Sequence, residues 1–312
     1  FSDMVNRYDF ANDTYIALTN VASVTRGGAG VGNQDYGYFC CGGQDGGVVG
    51  YSFTQRIDYS NDTSSLDDRG NNARKLSRTV GTSNKDYGYL IGGARKTREL
   101  SNPAAQPRSN VSRIDFANDN NTAVDKGNLP VTIRAGSGSG NANFGYIAGG
   151  YHDGGYPLKS TIYRINYAND TASPVIKGKT VDENGYAAGH NAQGYAKPLF
   201  SGFGLPYSSW PNPNPSYQAA PSYGYSVGGN PAPSLSPSYN VPAQRIDFTN
   251  DTATALAKAA PGMSSMYYNA CVGNRDYGYS SQGGSGYQIR RMDYASDSTT
   301  MVAKAPRNTY QS

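Results

Sequence analysis

The chain has 312 residues, with 27 basic and 23 acidic side chains, 39 Gly, 17 Pro, and 27 Tyr against only 9 Phe and 1 Trp. No run of about 18 apolar residues is present, so no membrane-spanning helix is expected. A net charge of +4 is too near neutral for a protein that holds nucleic acid by neutralising phosphates. High Gly, Tyr, Thr and Ser with regular turn signals predict an all-β chain. The chain opens on Phe1 with no charged-then-apolar leader and reads as a processed product or a fragment.

Two segments alternate along the chain. The first begins as Arg7-Tyr-Asp-Phe-Ala-Asn-Asp-Thr14 and returns at Arg56–Thr63, Arg113–Asn120, Arg164–Thr171, Arg245–Thr252 and Arg291–Ser298. In an extended Arg-Ile-Asp-Tyr run, Ile and Tyr share one face while Arg and Asp share the other. Asn and Asp accept tight-turn angles. The segment predicts a β-hairpin of nearly constant length, with Thr opening the return strand. The second segment reads Tyr36-Gly-Tyr-Phe-Cys-Cys-Gly-Gly43, Tyr87–Gly93, Phe144–Gly150, Tyr223–Gly229 and Tyr277–Gly284. It predicts a strand whose glycines allow close approach or a positive φ. A Gly-Asn turn and a small-residue strand precede it.

In chain order this gives a hairpin at 5–20 and then five four-stranded units, at 21–69, 70–126, 127–178, 179–258 and 259–304. A last strand begins near Arg307. Units of about 50 residues with several short strands suit propeller blades. Residues 1–20 and 305–312 are expected to share a closing blade, with one strand missing or coming from beyond the given residues, giving six blades in a single domain of 1–312. An open stretch of a longer array is the alternative. In the fourth unit, Gly189–Tyr195 matches the Gly-Asn turn register, and the Pro- and Tyr-rich stretch 196–222 reads as an insertion. Pro at this density leaves sheet ladders and favours extended chain.

A strand ending in Gly-Gly, a variable loop and a Tyr-Asp hairpin together resemble the Kelch repeat, without its final-strand Trp. The particular wording, Arg-Ile-Asp-Tyr-x-Asn-Asp-Thr with Tyr-Gly-Tyr-x-x-Gly-Gly, resembles repeats in structural and tail-fibre-like proteins of cyanophages and related aquatic phages. That resemblance covers almost the whole chain. It implies a virion or extracellular protein.

The connection from Gly-Gly to the next Arg varies in length between units, whereas the Asn-Asp hairpin does not. Variable loops on one face of a rigid ring are a common binding design. Aromatic side chains beside amides and hydroxyls suit stacking on a sugar ring. The candidate glycan-binding residues are Trp210, Tyr207, Tyr217, Tyr156, His152 and Arg95. The loop holding Arg95, Lys96, Arg98 and Arg108 is the one basic cluster, suited to an anionic glycan or a lipopolysaccharide phosphate. Asn12, Asn61, Asn169 and Asn250 fit the N-glycosylation pattern, as do Asn110 and Asn120, though all but Asn110 coincide with the turn the repeat needs anyway.

No metal site, cofactor or catalytic residue is expected. Each recurrent turn Asp supplies one carboxylate, too few for Ca²⁺. His152 and His190 are the only histidines, too few for a His-rich centre. No Gly-x-Ser-x-Gly elbow is visible. Cys40, Cys41 and Cys271 read as buried strand residues rather than a disulfide framework. The expected function is non-enzymatic: recognition of a host-surface glycan or envelope through the variable loops, weak at each site and strengthened by multivalency on a fibre. The alternative is a building block of a filament, tail or capsid decoration, whose Pro-rich arm docks onto another subunit. An intracellular Kelch-type scaffold is a third reading.

Overall fold

The computed structural model describes residues 4–9, 12–20, 27–44, 49–62, 65–95, 106–152, 158–185, 187–192, 223–231, 241–260, 270–273, 276–281 and 288–306. They form a propeller-like ring of small antiparallel sheets. A two-stranded hairpin, β1 (Met4–Asp9) and β2 (Thr14–Asn20), comes first. Five blades follow. The first blade holds Ala29–Gly32, Tyr36–Cys40, Thr54–Asp58 and Asp67–Asp68, from the axis outward. The second holds Val80–Ser83, Tyr87–Ile91, Val111–Asp115 and Val124–Asp125. The third holds Ser137–Gly140, Phe144–Ala148, Lys159–Asn166 and Val175–Gly185. The fourth holds Ala188–Ala192, Tyr223–Val227, Gln244–Asp247 and Leu256–Ala257. The fifth holds Ala270–Gly273, Tyr277–Ser281, Gln288–Asp293 and Val302–Pro306.

The innermost strands of successive blades lie side by side around the axis. Glycine makes this possible. A Cβ on Gly81 would lie 2.5 Å from the Gly30 carbonyl oxygen, one on Gly138 2.1 Å from that of Gly81, and one on Gly189 2.0 Å from that of Gly138. No side chain fits at such distances. Gly189 therefore belongs to the innermost strand, paired with Ser226 as Gly30 pairs with Phe39. This corrects the sequence reading, which put Gly189 in the turn: the strand runs on to Ala192, which pairs with Tyr223.

The core lies between blades. One cluster joins Val31, Tyr38 and Cys40 of the first blade to Leu90, Ile114 and Phe116 of the second. Others join the second to the third, the third to the fourth and the fourth to the fifth. Each blade thus buries its neighbour's face, as a repeat architecture requires.

Local geometry explains the conserved wording of the repeat units. Asn33, Asn84 and Asn141 close the first turn of their blades, each Oδ1 accepting the N–H groups two and three residues on. The Gly pairs carry positive φ, for example Gly92 at 60° and Gly93 at 97°. In the first blade the same two positions are Cys41 (φ 59°) and Gly42 (φ 96°), so the register there is one residue earlier than the Gly42-Gly43 reading. After Arg-Ile-Asp the chain makes a short 3-10 turn, as at Phe116–Asn118, with the Asp115 side chain accepting the Ala117 N–H. Thr opens the return strand only in the hairpin, at Thr14; in the other units the outermost strand starts further on, as at Val124 or Leu256.

Candidate functional site

The invariant side chains of the repeat meet at the junctions between blades. The turn aspartates are not turn residues alone. Tyr38 Oη donates to Asp119 of the next blade at 2.8 Å, and Tyr89 to Asp170 at 3.0 Å. Tyr146 donates to Asp251 at 3.0 Å, Tyr225 to Asp297 at 2.7 Å, and Tyr279 to Asp13 of the hairpin at 2.8 Å. The repeat arginine reaches the same carboxylate: Arg56–Asp119 at 3.0 Å, Arg113–Asp170 at 2.8 Å, Arg164–Asp251 at 2.6 Å, Arg245–Asp297 at 3.0 Å and Arg291–Asp13 at 2.8 Å. Arg7 of the hairpin completes the cycle on Asp62 of the first blade at 2.9 Å. Asp58, which shares a strand face with Arg56, instead accepts the Ser60 N–H at 2.8 Å and hydroxyl at 2.7 Å.

Each arginine of the five blades also lies over the first aromatic ring of its own Tyr-Gly-Tyr or Phe-Gly-Tyr strand, with Arg56 over Tyr36 at 4.2 Å and Arg164 over Phe144 at 4.3 Å. The second tyrosine stacks on the aromatic residue after the next blade's Arg-Ile-Asp, Tyr38 on Phe116 at 4.9 Å and Tyr146 on Phe248 at 4.6 Å. Burial first, and then the carboxylate each one faces, pushes these phenols above their ordinary value, so they remain neutral donors. This belt fastens blade to blade, each of those five carboxylates receiving a tyrosine hydroxyl and an arginine. It is framework, and it fixes the face that carries the regular turns.

The opposite face carries the second-to-third strand loops and the crossings between blades. Loops and crossings are stapled together within a unit, as where Ile133–Arg134 pairs with Tyr151–His152, and across successive units, as where Tyr51 bridges Leu76 and Arg108 bridges Ile133. On this face a cavity of about 160 Å³ is lined by Arg74, Arg108, Ser109, Asn110 and Asn128. Three connections build it. Arg74 comes from the crossing into the second blade, Arg108 to Asn110 from the end of the second blade's variable loop, and Asn128 from the crossing into the third. The backbone is fixed: Arg108 N–H donates to the Gly93 carbonyl at 2.8 Å and its own carbonyl accepts the Ile133 N–H at 2.9 Å. Gly92 N–H donates to the Asn110 carbonyl and Leu129 N–H to that of Ser109, both at 2.8 Å.

The charge in the cavity is unbalanced. Arg74 forms an ion pair with Asp125 at 2.6 Å, whereas Arg108 has no ion-pair partner among the described residues. Asn110 is buried, its Nδ2 donates to Ser112 Oγ at 3.4 Å, and its Oδ1 has no hydrogen-bond partner among the described residues. A guanidinium fork beside amide groups suits a carboxylate, sulfate or phosphate on a polar ligand.

The candidate residues read from sequence do not gather in one place. Arg95 is exposed on the variable-loop face, in a short strand pairing with Gln106. His152 is 3% exposed and lies against Tyr163, so it is a core residue in this arrangement. Tyr156, Tyr207, Trp210 and Tyr217 lie outside the described residues. The anchors of the insertion are described: Ala192 pairs directly with Tyr223. Ala192 and Tyr223 themselves stand on the regular-turn face, opposite the variable loops. Asn12, Asn61, Asn169 and Asn250 are exposed on that same turn face, whereas Asn110 is sealed in the cavity wall. Burial pushes the Cys41 and Cys271 thiols up to about 12, which keeps them protonated and unreactive at neutral pH. No group of three or more metal-ligating side chains occurs among the described residues.

Sequence reasoning reached Arg108 but missed Arg74, Asn110 and Asn128 as its neighbours. Arg74 and Asn128 are 34 and 20 residues away along the chain, and only the crossings between blades bring them to Arg108. No protein family matches the chain, and no curated protein sequence matches it.

Proposed function

We propose that the chain is a non-enzymatic propeller of a virion or other extracellular assembly that recognises an acidic host-surface glycan through its variable-loop face. The observation that carries this reading is the cavity holding Arg108, a cation without an ion-pair partner among the described residues, beside Arg74 and two amide side chains. Arg95 stands on the same face and adds to its positive field. Sugar acids offer both the anion for the guanidinium and hydroxyls for Asn128 and Ser109. The Kelch-like repeat and the phage-like wording of its units favour a rigid display scaffold, with avidity from many copies. In this reading the hairpin is the outer half of a sixth blade, since its Arg7 and Asp13 take the same places in the ion-pair cycle as those of the five blades.

Binding of the purified chain to arrayed neutral, carboxylated and sulfated glycans tests the reading. Retention of acidic glycans that falls at least about tenfold in Arg108→Ala supports it. Retention that survives Arg108→Ala but is lost on deleting 196–222 moves the site to the insertion. No retention of any glycan sinks it.

A second reading, a building block of a filament or tail, rests on a different feature. The residues paired with the belt arginines on the outermost strands are apolar and exposed in most sectors: Ile16 at 47%, Val124 at 56%, Val175 at 49%, Leu256 at 55% and Val302 at 56%. An apolar rim repeated around a ring is a surface for other subunits. Ordered polymers seen by electron microscopy, lost when these positions are made polar, would favour it.

A further inference from the structure

The cavity on the variable-loop face departs from the repeat around it. Backbone hydrogen bonds fix which residues correspond between units. Tyr51, Arg108 and Lys159 donate their N–H groups to the carbonyls of Gly42, Gly93 and Gly150. Two residues further on, the carbonyls of Phe53, Asn110 and Thr161 accept the N–H groups of Cys41, Gly92 and Gly149. The first unit fills these two positions with aromatic rings, Tyr51 and Phe53, whose centroids are 5.8 Å apart. The second fills them with Arg108 and Asn110. The same backbone bonds form in both units, so the fold itself does not ask for this polar pair.

The pair has complementary needs. Arg108 brings guanidinium donors and has no ion-pair partner among the described residues. Asn110 is 5% exposed. Its Nδ2 donates to Ser112 Oγ, while its Oδ1 accepts nothing among the described residues. An acceptor held out of water in this way calls for a donor. Arg74 adds little net charge, because Asp125 Oδ2 holds it at 2.6 Å, and Asp125 Oδ1 accepts Ser112 Oγ at 3.2 Å. The cavity therefore asks for one negative group with a hydrogen-bond donor beside it. Its volume, about 160 Å³, is close to the roughly 150 Å³ that takes a single benzene ring. The lining residues are polar, so the ring that fits them is polar too.

We propose that this cavity seats one sugar ring bearing a carboxylate and a free hydroxyl near it. The proposal rests on the acidic-glycan reading above and names the sugar class within it. The two carboxylate oxygens meet the Arg108 fork. The hydroxyl donates to Asn110 Oδ1, which distinguishes a sugar acid from a simple carboxylic acid. A sulfate ester offers three free oxygens, more than one unpaired guanidinium serves. A phosphate monoester brings close to two negative charges against one.

The test is a titration of the isotope-labelled 312-residue chain followed by NMR. The sugar acids are glucuronate, galacturonate and N-acetylneuraminate. The controls are glucose, glucose sulfated on its primary hydroxyl, and cyclohexanecarboxylate. At least one sugar acid is expected to shift the Asn110 side-chain amide signals saturably. Glucose, without the carboxylate, and cyclohexanecarboxylate, without the hydroxyls, are each expected to bind at least about tenfold more weakly. The sulfated glucose is expected to bind several-fold more weakly. Arg108→Lys keeps the charge without the fork and is expected to weaken the sugar acid about tenfold. Asn110→Val, with its fold checked by circular dichroism, is expected to lower the sugar acid to the level of cyclohexanecarboxylate and leave that control unchanged. If Asn110→Val does not fold, the comparison of ligands on the unaltered chain decides. No shift with any sugar acid, or equal binding of cyclohexanecarboxylate or the sulfated glucose, overturns the proposal. If acidic glycans are still retained on the array in an Arg108-dependent way, only this assignment falls; if they are not, the glycan reading falls with it.

Discussion

Two junctions of the same ring hold the same kind of carboxylate very differently. Asp170, between the second and third blades, receives Tyr89, Arg113 and Lys126 and is almost fully buried. Asp62, between the hairpin and the first blade, receives Arg7, whose own side chain is half in water. A buried carboxylate with several donors is costly to disturb, because any donor left behind loses its partner out of water. An exposed ion pair contributes little, because water competes for both ends. Repetition of sequence therefore does not repeat energy: the contribution of a motif depends on whether its neighbour supplies the other half.

The largest expected contrast is between the aspartates. Asp170→Ala should cost about 3–5 kcal/mol of stability, whereas Asp62→Ala should cost no more than about 1 kcal/mol. Chemical denaturation of the two variants measures both, and equal losses would break the comparison. The tyrosines come next. Tyr89→Phe removes a hydroxyl bonded to a carboxylate and should cost roughly 2 kcal/mol. Tyr59→Phe removes a buried hydroxyl that lacks a described partner and should be neutral or stabilising by up to about 1 kcal/mol.

A pH series probes the junction of the fifth blade with the hairpin. Burial raises the pKa of Asp13, but Lys304, Tyr279 and Arg291 outweigh it and hold the carboxyl below its ordinary 3.8. A depressed folded value means that this stabilisation is fully present above 3.8 and is lost as pH falls through the folded value. Asp13→Asn should therefore flatten the acid limb of the stability curve below pH 4 and leave its shape near neutrality unchanged. The smallest effect is expected at Arg7→Ala, about 0.5 kcal/mol or less at low salt and vanishing at high salt. Arg113→Ala, at the buried junction, should keep most of its larger cost in salt.

Much of the framework was legible from the residues. The alternation of Arg-Ile-Asp-Tyr with Tyr-Gly-Tyr marked the third and second strands in each unit, because a strand's two faces impose a period of two. The Asn turns were legible too, since Asn33 and Asn84 do locally what their type predicts. Register was harder. Gly189 matched a turn glycine by spacing, yet a neighbouring carbonyl 2.0 Å from its would-be Cβ puts it in the innermost strand. For His152, a position in a loop suggested exposure, and pairing with Ile133 buried it instead.

The sequence by itself determined the strand units, their order and the all-β class, because those rest on side-chain periodicity and turn chemistry within about fifty residues. Only the tertiary structure decided which aspartate each arginine meets, that Arg74, Arg108 and Asn128 share one cavity, and that one sector of the belt is thinner than the rest. Those contacts join residues tens to hundreds of positions apart. Such pairs become neighbours only once the blades have packed and the cost of ordering the chain between them has been met.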